Sequence, residues 1–280
     1  MILFKEAAAL QQYLQKEHDK GHATGFVPTM GALHEGHRRL VLQSCVQTDC
    51  TVVSIFVNPT QFNDKVDFEK YPTSLEEDIR MLSTTGARVL FLPSVKEMYP
   101  QGTAGLEHYE LGFLETILEG KFRPGHFQGV CQVMCRLLKI VNPTLLFMGQ
   151  KDYQQCLVIR KLMELMNLPA QLIIAPTVRE KDGLAMSSRN RRLNSDSRKK
   201  ALHIHNALMY IGKNWAKEGK SAKTKAIALL KENDFRADYV EVADAETLEI
   251  LEQPTNRMQV ALIAAFLEDV RLIDNLLIDP

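Results

Sequence analysis

Short apolar runs that alternate with helix-like stretches limit what this chain can fold into more than any other feature. Thr51 to Val57 (TVVSIFV) is a continuous β-branched run, the kind expected of a parallel strand covered on both faces by helices. Thr24 to Thr29 (TGFVPT), Arg88 to Leu92, Leu145 to Met148 and Gln171 to Ala175 read the same way. The stretches around them have a helical period. The start, MILFKEAAALQQYLQKEH, reads as an amphipathic helix, and Arg38 to Val46 suggests a second. Thr73 to Thr85 looks helical, with Ser74 and Glu77 at capping-box spacing and Gly86 as its stop. In His126 to Val141 the residues Val130, Val133, Met134, Leu137, Leu138 and Val141 recur at three and four, the stripe of a core-facing helix. Asn142-Pro143 ends it, and Asp152 to Met166 is a further helix. Right-handed crossovers wind such a series into a parallel sheet whose ligands bind at the carboxyl ends of its strands.

Beyond about residue 178 the rhythm changes. A polar loop leads to long helices (Asp196 to Lys217, Ala222 to Glu232), then to strands at Asp238 to Val242, Gln259 to Ala265 and Arg271 to Leu277. The expected fold is α/β: a parallel-sheet domain over residues 1–177 and a smaller α+β domain over 178–280, with no Pro, Gly or Ser-rich linker between them. Hydrophobic residues make up 45% of the chain and charged ones 24%, which suits a buried core and speaks against wholesale disorder. The 34 basic residues balance the 34 acidic ones, so no general field attracts nucleic acid or an anionic membrane surface. No apolar run approaches the roughly 20 residues of a membrane span. A cytoplasmic protein is expected, and the unpaired spacing of Cys45, Cys50, Cys131, Cys135 and Cys156 fits reduced thiols there. Cys131 and Cys135 share a helical face, yet two thiols lack the further ligands that zinc requires, so packing is the expected role.

The run Pro28-Thr29-Met30-Gly31-Ala32-Leu33-His34-Glu35-Gly36-His37 holds an HxGH motif between a strand and a helix. Main-chain N–H groups at a helix N-terminus favour phosphate, and Gly36 permits close backbone approach. Imidazoles three residues apart can project from the first turn toward one anion and stabilise charge developing on it. An isolated HxGH also fits two exposed loop histidines.

The segments FVPTMGALHEGH, SIFVNPTQF, RPGHFQGV, MGQKDYQQ and KDGLAMSSRN, followed by FRADYVEVADAETLE and RLIDN, resemble in order and spacing the signature segments of the pantothenate synthetase family. The resemblance implies a Rossmann-like ATP- and pantoate-binding domain, with the smaller domain closing over the active site. It also implies the reaction: pantoate and ATP form an enzyme-bound pantoyl-adenylate and pyrophosphate, and β-alanine then gives pantothenate and AMP. ATP is a substrate, Mg²⁺ accompanies it, and a homodimer is expected.

Carried over by motif, Met30, Gly31, Ala32, Leu33, His34, Glu35, Gly36 and His37 would line the ATP site. His34 and His37 would lie beside the α-phosphate, with His37 the usual proton donor. Gly149, Gln150, Lys151 and Asp152 would form a second nucleotide segment, with Lys151 as its cation and Asp152 holding a ribose hydroxyl or orienting that lysine. Read without the family, Lys151 and Asp152 fit a solvated pair better than a nucleotide contact. Met186-Ser187-Ser188-Arg189 resembles the KMSKS-type loop of related adenylate-forming enzymes, following Lys181, Asp182 and Gly183, and would track the departing pyrophosphate. Read alone it is a surface connection. Gln61 and Gln155 would bind pantoate, since an amide both donates and accepts. Asn58, Tyr71, Arg123 and Val178 are lesser candidates, Val178 as a backbone contact to the nucleotide. Glu77 and Asp78 lie where magnesium could approach, but Mg²⁺ in ATP sites is held largely by phosphates and water, so no protein ligand is assigned. Another HxGH nucleotidylyltransferase, or a nucleotide-binding module without turnover, stays open.

Overall fold

The computed structural model describes residues 1–63 and 65–280. It divides into two compact units, one made of Met1–Gly149 with Gln155–Pro176 and the other of Gln150–Gln154 with Thr177–Pro280.

The first unit is a parallel sheet of six strands: β1 (Ile2–Phe4), β2 (Thr24–Thr29), β3 (Cys50–Ile55), β4 (Val89–Phe91), β5 (Leu145–Gly149) and β6 (Gln171–Ala175), in the order β1-β4-β3-β2-β5-β6. Alternate residues of β2 to β6 enter opposite cores, as a two-residue side-chain period requires. Phe26, Val52, Val89, Phe91 and Leu146 pack on one face with helices α1 (Ala7–Asp19) and α4 (His126–Val141). Val27, Val53, Leu90 and Phe147 pack on the other with α2 (Glu35–Gln47) and α3 (Leu75–Ser83). The continuous apolar runs follow from this arrangement, because neither face meets water. Cys131 and Cys135 lie in the first of these cores, and burial pushes the Cys131 thiol up to about 12.

The strand order changes direction at β2, whose neighbours are β3 and β5. Pairing with β3 runs the whole length of β2, whereas pairing with β5 covers only Gly25 and Phe26. Pro28, which has no N–H to donate, lies beyond that short ladder. The carboxyl ends of β2 and β5 therefore part at the topological switch point, the place where open α/β sheets bind ligands. β2 also sits tight against α2, since a Cβ on Gly25 would be 2.2 Å from Ser44 Oγ.

The second unit is an antiparallel sheet, β7 (Phe235–Asp244), β8 (Gln259–Leu267) and β9 (Val270–Ile278), in that order. Helix α5 (Tyr153–Leu165) begins in this unit and continues in the first. Helices α6 (Leu202–Glu218) and α7 (Lys220–Glu232) pack with the sheet around the buried Trp215, whose indole N–H donates to Gln259 Oε1 at 2.7 Å. No described helix is long and apolar enough to cross a membrane.

The expected fold class is the one observed, with local differences. Residues 2–4 form an edge strand paired with Val89–Phe91 instead of joining the first helix. The long helix expected from Asp196 breaks at Ala201, into Ser195–Lys200 and α6. Ser74 makes no side-chain cap on α3; its hydroxyl donates to Asp78 Oδ1 at 3.1 Å.

Asp78 explains that last difference. Its carboxylate, 1% exposed, accepts the main-chain N–H of Ala32 at 2.9 Å and of Leu33 at 2.8 Å. The loop after β2 needs this support because Gly31 (φ 81°) and Ala32 (φ 49°) both adopt left-handed backbone, which is unfavourable for a residue with a Cβ. Asp78→Ala should strand the two buried amides and lower stability by at least about 2 kcal/mol in urea unfolding, at roughly 1 to 3 kcal/mol for each. An unchanged midpoint and slope would show that the loop holds its shape without the carboxylate.

Candidate active site

In the first unit, the loop of Met30 to His37 leaves the carboxyl end of β2, and Gln61 lies against it. His34 is the N-cap of α2 and forms a reciprocal capping box with His37. Gly36 N–H donates to His34 Nδ1 at 3.2 Å, and His34 N–H donates to His37 Nδ1 at 3.3 Å. The two rings lie 4.0 Å apart between centroids. Because each Nδ1 accepts a main-chain hydrogen bond, the neutral form of each ring carries its proton on Nε2. The turn therefore holds two neighbouring imidazoles in the tautomer whose Nε2–H can donate to an anion, and ties both to one helix end.

The same bonds change the expected role of the backbone. Gly31 N–H donates to Thr29 Oγ1 at 3.2 Å, while Ala32 and Leu33 are held by Asp78 and the amides of His34 and Gly36 by the histidines. The amides of Gly31 to His34 and of Gly36 are thus bonded within the protein.

Gln61 closes a short 3₁₀ turn (Pro59–Gln61) capped by Asn58. Its Nε2 reaches Met30 Sδ at 2.9 Å, and its Oε1 accepts from Asn58 Nδ2 at 3.2 Å. Its carbonyl accepts from His126 Nδ1 at 2.8 Å, a direction set by Arg123 Nη1, which donates to His126 Nε2 at 3.1 Å. Asn58 is 1% exposed and bonded throughout, donating also to Gly129 O at 3.0 Å and accepting from Tyr99 Oη at 2.7 Å. Asn58 and Arg123 thus hold Gln61 in place. Tyr71 stacks edge-on against Phe62 at 5.7 Å. Gly149 ends β5, and Gln155 lies half-buried in the first turn of α5.

In the second unit, Gln150–Asp152 is one 3₁₀ turn with Lys151 Nζ 4.0 Å from Asp152 Oδ1. Gln150 and the carbonyl of Lys151 are bonded to Asn275 on β9. Val178 and Met186 are the two ends of a hairpin: Met186 N–H donates to Val178 O at 3.0 Å, and Arg179 bridges Ala185 inside it. Lys181, Asp182 and Gly183 form the tip, where the hydrogen bond from Arg198 holds the Asp182 carboxyl below its usual range. Ser187 follows directly and caps a 3₁₀ turn, Ser188–Arg192, by accepting from Arg189 N–H at 3.3 Å. This connection is therefore an ordered hairpin and turn. Its base is tied to β9 by Arg179, bidentate to Asp274 at 2.6 and 3.0 Å.

The sequence-predicted residues thus fall into two groups, one per unit: Met30 to His37 with Gln61, Gly149 and Gln155, and Gln150 to Asp152 with Val178 and Met186 to Arg189. Sequence reasoning considered Asp78 only beside magnesium, and did not single out His126, Asp274 or Asn275, the other groups that position them. Among the described residues no cluster of three or more His, Cys, Asp or Glu side chains could hold a metal ion. Both oxygens of Asp78 are spent on main-chain amides and Ser74, so this carboxylate does not suit Mg²⁺ coordination.

Comparison with known proteins gives this arrangement a context. The family profile described as pantoate-beta-alanine ligase matches residues 2–277. A pantothenate synthetase of Azobacteroides pseudotrichonymphae is 43% identical over 99% of both chains. The crystal structure of pantothenate synthetase from Thermus thermophilus superposes with a TM-score of 0.93 at 39% identity, covering 100% of both chains. That of the Francisella tularensis pantoate-beta-alanine ligase, complexed with beta-gamma ATP and beta-alanine, has a TM-score of 0.84 at 35% identity, covering 99% of this chain and 97% of that one. The chain belongs to the pantoate-beta-alanine ligase family.

Proposed function

We propose that this protein joins pantoate to β-alanine at the expense of ATP, through a pantoyl-adenylate. The observation that carries the reading is the His34–His37 box, in which both rings are held with Nδ1 accepting and Nε2 as the proton-bearing nitrogen. In the first step a pantoate carboxylate oxygen attacks the α-phosphorus of ATP, and the bond from that phosphorus to the bridging oxygen of pyrophosphate breaks. Negative charge grows on the α-phosphate oxygens and the bridge, where His34 and His37 donate. In the second step the β-alanine amine attacks the acyl carbon, AMP departs with the electron pair of the acyl–oxygen bond, and the amine loses a proton as the amide forms.

The remaining roles follow the two groups. Met30 to His37 and Gly149 line the nucleotide in the first unit, and Gln61 and Gln155 bind pantoate. Gln150, Lys151, Asp152, Val178 and Met186 to Arg189 meet the nucleotide from the second, where Lys151 and Arg189 offset the charge of the phosphates. Mg²⁺ would come bound to the ATP phosphates and offset part of their charge. The family resemblance supports a cytoplasmic homodimer that works with neither nucleic acid nor membrane.

Purified protein given ATP, Mg²⁺, pantoate and β-alanine should release AMP and pantothenate in equal amounts, read by chromatography. Formation of ADP in place of AMP, or no amide product, would overturn the assignment. His37→Ala should lower kcat by about 100- to 1,000-fold with a much smaller change in the KM for ATP, because the donor acts on charge that develops only in the transition state. A near-normal kcat in the folded variant would reduce the motif to a nucleotide-binding turn.

A further inference from the structure

Asn275 sits on β9 and is 2% exposed. A buried amide on a sheet commonly bonds within the sheet, but this one reaches a segment 125 residues away in sequence. Its Nδ2 donates to two successive carbonyls, Gln150 O at 3.0 Å and Lys151 O at 2.9 Å. Its Oδ1 accepts from Gln150 Nε2 at 3.1 Å. Two donors on consecutive carbonyls fix the peptide planes on either side of the Lys151 Cα, and hence the direction in which the Lys151 side chain leaves the backbone.

The neighbouring residue does a parallel job. Asp274, whose carboxylate is fully buried, receives both Nη atoms of Arg179. Arg179 in turn donates to Gly183 O at 3.1 Å and to Asn275 O at 3.2 Å, and Asn275 N–H donates to Asp274 Oδ1 at 2.8 Å. Consecutive residues of one strand thereby hold the segment carrying Lys151 and the hairpin that leads into Ser187, Ser188 and Arg189. Hydrophobic packing of the sheet does not require this: the bonds go to main-chain carbonyls of an irregular turn and to a guanidinium, and each would be left unmade by an apolar residue.

We propose that Asn275 is a positioning residue for the adenylation step, which sets the orientation of Lys151 toward the ATP phosphates and, with Asp274, holds it in register with the Ser187–Arg189 turn. This rests on the reading above that Lys151 meets those phosphates. Misplacing a charged group by about 1 Å costs on the order of 100-fold in rate, so the effect should be large without any contact between Asn275 and substrate.

The test uses the full chain and Asn275→Asp, which is nearly isosteric. The aspartate still accepts from Gln150 Nε2 but turns an acceptor, in place of two donors, toward the carbonyls of Gln150 and Lys151. Trp215, the single tryptophan and buried in the same unit, reports by its emission whether that unit is folded. Folded Asn275→Asp should lose about 10- to 100-fold in kcat/KM for ATP while the KM for pantoate stays within about twofold. Lys151→Met should lose at least as much, and the double variant should be no worse than Lys151→Met alone, since the asparagine acts through the lysine. Independent, multiplying losses, or a folded Asn275→Asp with near-normal kcat/KM for ATP, would overturn the proposal. A silent Lys151→Met would instead remove the reading on which it rests. Should Asn275→Asp fail to fold, Asn275→Ala is measured in the same way, and loss of the native Trp215 emission in both would assign Asn275 to structure alone.

Discussion

Between the end of β2 and the start of α2 the backbone passes through two left-handed residues, Gly31 and Ala32, and must then present two histidines from the first turn of a helix. The buried Asp78 carboxylate makes that path possible by accepting the amides of Ala32 and Leu33 from across the fold. With the turn fixed, His34 can cap α2 and His37 can return the bond. The positions of the imidazoles and the nitrogen that carries each proton are then set by the backbone. An acidic side chain with no assigned contact to substrate thus supports the turn that sets the tautomers of the two histidines proposed to act at the reacting phosphate.

The second unit solves a similar problem with different parts. Lys151 and the Ser187–Arg189 turn lie far apart in sequence, and neither belongs to a regular strand or a long helix that would hold its direction. Instead the Lys151 carbonyl is bonded to Asn275 of β9, and Arg179, at the base of the hairpin that leads into the turn, to the adjacent Asp274. In each unit regular structure supplies rigidity while a few buried hydrogen bonds transfer it to an irregular segment, as a preorganised site needs.

Much of this was legible in the sequence because it is local. The apolar runs of β2 to β6 and the stripe in His126–Val141 give strands and helix directly, since burial on two faces and on one leaves different periods. The HxGH motif and the Met186–Arg189 run could be found because their chemistry is contiguous. Contacts between distant residues were not legible. Ile2–Phe4 reads as part of a helix until its partner Val89–Phe91 is known. Ser74 and Glu77 have capping-box spacing, but the Ser74 hydroxyl is drawn to Asp78, itself committed to a loop 46 residues away. Asn275 is one of three polar residues in β9, beside Arg271 and Asp274, and no local pattern tells that its amide serves residues 150 and 151.

The central claim is that the carboxylic acid is activated on phosphorus before the amine takes part. Exchange of labelled pyrophosphate into ATP tests it most directly, with enzyme, Mg²⁺ and pantoate present and β-alanine left out. A bound adenylate formed from pantoate alone predicts steady incorporation of label that depends on pantoate and slows about 100- to 1,000-fold in His37→Ala. Exchange that appears only when β-alanine is added would contradict a separate adenylation step.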